Sequence, residues 1–97
     1  MARRAALVLL LLVGACSGGE EAQIAQARSW SATAMLVAEH WVQGEVPSAY
    51  ARDALKKAAE QLATGPFPEA AAPVADLGVA VAREDRAAAR RILEDLR

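Results

Sequence analysis

The sequence contains few of the residues that build most catalytic and metal sites. Its 97 residues include one Cys, one His, two Trp, one Tyr and one Phe. A single cysteine cannot form a disulfide within the chain, and one histidine cannot supply the three or four ligands that a zinc site needs. Because large side chains are scarce and alanine adds little buried area, we expect a thin hydrophobic core.

The chain also lacks an excess of charge of either sign. It has 11 Lys and Arg residues against 12 Asp and Glu residues, which gives a formal net charge of −1. A protein that binds nucleic acid needs a concentrated basic surface to replace the counterions on phosphates. The composition therefore argues against nucleic acid as a general partner.

The side chains that could perform chemistry do not form a recognisable catalytic group. Serine and threonine hydroxyls have only His40 as a base, and a nucleophile needs a base that a third group holds in place. Met35 and Glu39 lie near His40 on one predicted helix, but this is not a complete ligand set. We therefore expect a non-catalytic protein with no metal and no cofactor.

The first residues have the order of a secretory signal. Arg3 and Arg4 precede an almost unbroken apolar run over residues 5–13, and small residues follow. The run is too short for a membrane-spanning helix, which needs about 20 apolar residues. It therefore predicts a signal peptide rather than a permanent transmembrane anchor.

The end of this run resembles the lipobox of bacterial lipoproteins, in which an aliphatic residue and two small residues precede a cysteine. The matching residues are Leu12-Val13-Gly14-Ala15-Cys16. The resemblance covers residues 1–16 and implies that residues 1–15 are cleaved and that Cys16 carries lipid with acyl chains such as palmitate. The alternative is an ordinary signal peptide followed by an incidental cysteine.

The resemblance also implies where the mature protein resides. Lipid chains on Cys16 would anchor it to a membrane of the cell envelope, because two chains hold stably where one exchanges. Ser17 replaces the aspartate that retains enterobacterial lipoproteins at the inner membrane. In a Gram-negative cell we therefore expect the outer membrane, on its periplasmic side. Residues 16–21 would form a flexible tether, and residues 22–97 the folded domain.

The rest of the chain has the apolar spacing of α-helices. Stripes at intervals of three and four residues predict helices over about 20–43, 48–63 and 73–96. Gly44 with Pro47 and Gly65 with Pro66 mark the ends of the first two helices. No alternating pattern favours a strand. The predicted fold is all-α, a small antiparallel helical hairpin or three-helix bundle.

The first two stripes align with each other when the chain is folded at the turn between them. Such agreement between independent stripes favours a helical hairpin. The predicted facing pairs are Trp41 with Tyr50, Val37 with Leu55, Ala34 with Ala58, and Trp30 with Leu62.

The predicted third helix is longer than its partners. Asp85 interrupts its stripe, and Ile92, Leu93 and Leu96 lie beyond the end of the hairpin. We expect these three side chains to form an exposed apolar tip that contacts a protein partner or a second copy of the chain. The alternative is a bend near Asp85 that folds them back over Val46 and Trp41.

The sequence thus predicts a lipid-anchored helical protein of the cell envelope that acts through protein contacts, as an accessory subunit or adaptor. The alternative is a lipoprotein that binds a small ligand or a lipid in a groove between helices. Trp30, Trp41 and Tyr50 would line that groove, although we expect them to serve mainly as core residues.

Overall fold

The computed structural model describes residues 19–97, which fold as a bundle of four α-helices. The helices are α1 (Gly19–Val42), α2 (Ser48–Ala63), α3 (Ala71–Ala82) and α4 (Arg86–Leu96), with a 3-10 helix at Pro68–Ala70. No strand occurs in this part of the chain, so the predicted all-α class is confirmed. The predicted signal peptide and Cys16 lie outside the described residues. Within residues 19–97, no helix has both the length and the apolar character needed to cross a membrane.

Helix α1 begins within one residue of its predicted start and ends where glycine permits a left-handed turn. Its first residues include Glu20 and Glu21, whose carboxylates lie at the positive end of the helix dipole. The part of the predicted tether from Gly19 onward is therefore helical. At the other end, Gly44 has a φ of 79° and donates its N–H to the carbonyl of Trp41 at 2.9 Å, which closes the helix as in a Schellman motif.

The apolar stripes that the sequence predicted for the inside of the α1–α2 hairpin are buried. The buried residues at the inner levels of the hairpin are Ala34, Val37, Ala58, Leu55 and Leu62. Trp30 and Gln61, the neighbour of Leu62 along the chain, line the same surface depression, so α1 and α2 lie close together at this level. The predicted pair nearest the turn, Trp41 with Tyr50, is wrong, because Trp41 is fully buried whereas Tyr50 is 59% exposed. Tyr50 lies in the first turn of α2 and faces solvent.

The predicted third helix is two helices. The N–H of Asp85 donates to the carbonyl of Ala80 at 2.8 Å, and Glu84 donates to Val81 at 3.0 Å. Glu84 takes a left-handed φ of 55°, so the chain turns at this point instead of continuing. The Asp85 carboxylate then accepts from the N–H of Ala88 at 3.0 Å and caps α4. The interruption predicted at Asp85 is a complete break.

Helices α2 and α3 pack closely over the centre of the core. A Cβ atom added to Gly78 would lie 3.8 Å from the Cβ of Leu55, at ordinary van der Waals contact, so the Leu55 side chain lies directly beside the backbone of α3 at Gly78. Leu55 and Leu77 are fully buried, and Val81 nearly so. This approach places the outer faces of α2 and α3 side by side.

Candidate functional site

The three aromatic residues predicted to line a groove are separated. Trp41 is buried, Trp30 is half-buried and Tyr50 is exposed. At 1.5 Å per residue, Trp30 and Trp41 lie about 16 Å apart along α1. The predicted common groove of Trp30, Trp41 and Tyr50 is therefore wrong.

Trp41 is a core residue that connects three helices. Its indole N–H donates to the hydroxyl of Ser48, the first residue of α2, at 2.9 Å. The guanidinium of Arg86, the first residue of α4, lies 4.7 Å from the ring centroid, within the range of a cation–π contact. The hydrogen bond and the cation–π contact hold the ends of α2 and α4 against α1. The prediction that Trp41 serves in the core is confirmed.

Trp30 lines a small depression at the opposite end of the hairpin. Three glutamine amides share it, those of Gln23, Gln26 and Gln61, together with Thr64. Its volume is about 180 Å³, whereas drug-sized ligands occupy sites of about 300 Å³ or more. An indole face beside amide donors and acceptors could hold a small polar molecule, but not a lipid chain.

The predicted apolar tip is mostly not exposed. Leu93 is 3% exposed and Ile92 is half-buried, and only Leu96, at 37%, reaches solvent. The break at Asp85 turns α4 back so that Leu93 packs near Val42 of α1. The exposed tip of Ile92, Leu93 and Leu96 is therefore wrong for Leu93, and the alternative of a helix that folds back describes α4 better.

Two ion pairs lie near the end of α1. The guanidinium of Arg97, directly after α4, donates to the carboxylate of Glu39 in α1 at 2.6 Å. This ion pair links the end of α4 to α1. His40 pairs with Glu45 in the loop that follows α1. No group of three or more His, Cys, Asp and Glu side chains within residues 19–97 is arranged to hold a metal ion. His40 and its surroundings thus offer a helix-end contact rather than a ligand set.

An apolar surface that the sequence analysis did not predict lies on α3. Val79 is 48% exposed, and it borders an apolar groove between α2 and α3 with a volume of about 340 Å³. The signal for this surface is present in the sequence, because Asp76 is the only charged residue in α3. An amphipathic helix normally presents polar side chains to water, so this face of α3 is available for a contact.

No model of a known protein family, no curated protein and no solved structure matches this chain. The function has to be inferred from the residues of the chain itself. The features available for that inference are the series that ends at Cys16, the depression at Trp30 and the groove between α2 and α3.

Proposed function

We propose that this chain is a lipid-anchored, non-catalytic helical protein of a bacterial cell envelope that acts through protein contacts. The observation that carries the proposal is the order of residues 3–16: two arginines, an apolar run, and Gly14-Ala15 directly before Cys16. A diacylglyceryl group on the Cys16 thiol would bring two acyl chains, which suffices for stable membrane attachment.

The position of the folded domain agrees with a role close to the membrane surface. Only Ser17 and Gly18 separate Cys16 from the first residue of α1. A domain on so short a connection would remain next to the bilayer. Its partners would then be proteins, or parts of proteins, that lie at the same surface.

The non-catalytic part of the proposal is supported by the composition of the core. Among residues 19–97, every buried side chain is apolar. Catalytic groups gain most of their effect in sites from which water is excluded. The acids, bases and hydroxyls of this domain lie at least partly in solvent, whereas the α2–α3 groove has an apolar floor suited to another protein surface.

The anchor can be tested in the full chain expressed in a bacterium that processes lipoproteins. Wild-type protein should partition into the detergent phase of a phase-separating detergent. The C16S variant has no thiol to lipidate, so a smaller fraction of it should enter the detergent phase. The S17A variant is the matched control, because it changes the neighbouring side chain and keeps the thiol. Equal partitioning of C16S and wild type would contradict lipid attachment at Cys16.

A second function is favoured by the depression at Trp30. Its three amides and the half-buried indole ring could bind a small polar ligand, such as a sugar or an amino acid. Such a ligand should change the tryptophan fluorescence of the wild-type protein. A change that persists in the W30F variant would point to Trp41 and would count against this site.

A further inference from the structure

The exposed face of α3 is apolar along almost its whole length. Four small or branched apolar residues face solvent there: Ala72, Ala75, Val79 and Ala82. The two charged residues on this face are Asp76 and Arg83, which lie seven residues apart and therefore two helical turns apart. Val79 lies midway between them. Within residues 19–97, neither Asp76 nor Arg83 forms an ion pair.

Beside this face, α2 contributes the other wall of the groove. Ala59 adds to the apolar floor, and Arg52, Lys56 and Glu60 form the charged rim. The floor of the groove consists mostly of small residues, and such residues permit the axis of a further helix to approach to about 8–10 Å.

The charges at the two ends of the groove are opposite. Helices α2 and α3 are antiparallel neighbours, so the start of α2 lies beside the end of α3. One end of the groove therefore has Arg52 and Ala82 on its walls, with Arg83 next along the chain. The other end has Glu60 and Ala75, with Asp76 next along the chain. A helix that fits the groove should place an acidic side chain at the basic end, near Arg52, and a basic side chain at the acidic end, near Glu60. If the helix runs antiparallel to α3, the acid lies toward its N-terminus and the base toward its C-terminus.

We propose that the groove binds α3 of a second copy of this chain, antiparallel to the first, in a dimer with two-fold symmetry. Asp76 of the partner subunit then lies at the basic end, near Arg52 and Arg83. Arg83 of the partner subunit lies at the acidic end. The two copies of Val79 meet near the symmetry axis. The same patch serves both subunits, as a two-fold interface requires.

The charge order favours a second copy over an unrelated helix, because Asp76 in α3 and Arg83, the C-cap residue directly after α3, supply the acid and the base at the spacing that the groove demands. This dimer goes beyond the proposed envelope function. It uses only residues of α2, α3 and Arg83, the C-cap residue of α3, so it does not depend on lipid at Cys16. Its failure and the failure of lipidation would be seen in different measurements.

The test uses the D76R and R83D variants of the full chain, in a mild detergent, with the mass of the protein assembly measured by sedimentation velocity. Wild-type protein should be dimeric. Each variant alone places like charges across both symmetric contacts, so its dimer Kd should rise at least about tenfold. An equimolar mixture of D76R and R83D should recover the dimer, because opposite charges then face each other between the two variants.

The matched controls reverse one acidic and one basic charge on α4, at the exposed residues Asp95 and Arg91. The D95R and R91D variants should dimerise like wild type, and mixing them should change nothing. All four variants should keep the helical circular dichroism of the wild type, since the substituted side chains are exposed. A monomeric wild type would overturn the proposal, as would dimers of D76R and R83D as tight as wild type, or a mixture that stays monomeric.

Discussion

The indole N–H of Trp41 and the hydroxyl of Ser48 form a hydrogen bond of 2.9 Å across the turn between α1 and α2. Trp41 is fully buried, so the hydroxyl supplies a partner for a donor that water does not reach. The turn is thereby fixed from both sides: Gly44 ends α1, and Ser48 ties the start of α2 to the core. The hairpin thus depends on one polar contact in addition to its apolar stripes.

The S48A variant should leave the Trp41 indole without its partner and reduce the free energy of unfolding by about 1–3 kcal/mol. The matched control is S29A, which removes an exposed hydroxyl from α1 and should change stability by less than about 0.5 kcal/mol. Denaturant unfolding monitored by circular dichroism measures both. Equal stability of S48A and S29A would mean that the hydrogen bond contributes nothing.

The turn between α3 and α4 should depend on the carboxylate of Asp85, which caps α4 through the N–H of Ala88. The D85A variant should lose about 1 kcal/mol of stability. The D85N variant should lose much less, because its side-chain oxygen can still accept the bond. Thermal unfolding of the two variants checks this order, and D85N as unstable as D85A would contradict the capping role.

Leu93 should behave as a core residue and Leu96 as a surface residue. The L93A variant should lose about 2–4 kcal/mol of stability, because truncation leaves a cavity between α4 and α1. The L96A variant makes the same chemical change where the side chain is 37% exposed, and it should cost well under half as much. Equally small losses for the two variants would support the exposed tip that the sequence predicted, and equally large losses would mean that Leu96 is also a core residue.

Val79 should matter for association and not for folding. The V79D variant should lower the fraction of dimer while the unfolding temperature of the monomer stays within a few degrees of wild type. The matched control is L36D, which introduces the same charge at a residue of α1 that is 55% exposed. Sedimentation of both variants measures the effect. Equal dimerisation of V79D and L36D would exclude the groove between α2 and α3 as the interface.

The parts of the fold that the sequence predicted are those that local patterns determine. The bounds of α1 and α2 lie within one residue of the predicted helices, because periodic apolar stripes end at glycine and proline. The break after α3 was only partly predictable. It uses Glu84 in a left-handed conformation that usually selects glycine, so the sequence there lacks the usual sign of a helix end.

The candidate sites also differ in whether contiguous residues or tertiary packing define them. Lipid attachment at Cys16 is a prediction from a contiguous motif, which needs no tertiary structure. The apolar character of α3 can be read from the sequence, but the groove itself was not predicted, because Arg52 and Ala82 share one end of it only after α2 and α3 pack together. The separation of Trp41 from Tyr50 also depends on packing, since both occupy positions that helical periodicity alone would allow to face each other.

Intact-mass spectrometry of the protein recovered from the envelope of a native or lipoprotein-processing host would show whether Cys16 carries lipid. The mature chain should begin at Cys16 and carry the mass of a diacylglyceryl group on that residue. A chain that still begins with Met1, or one in which Cys16 retains a free thiol, would contradict this prediction.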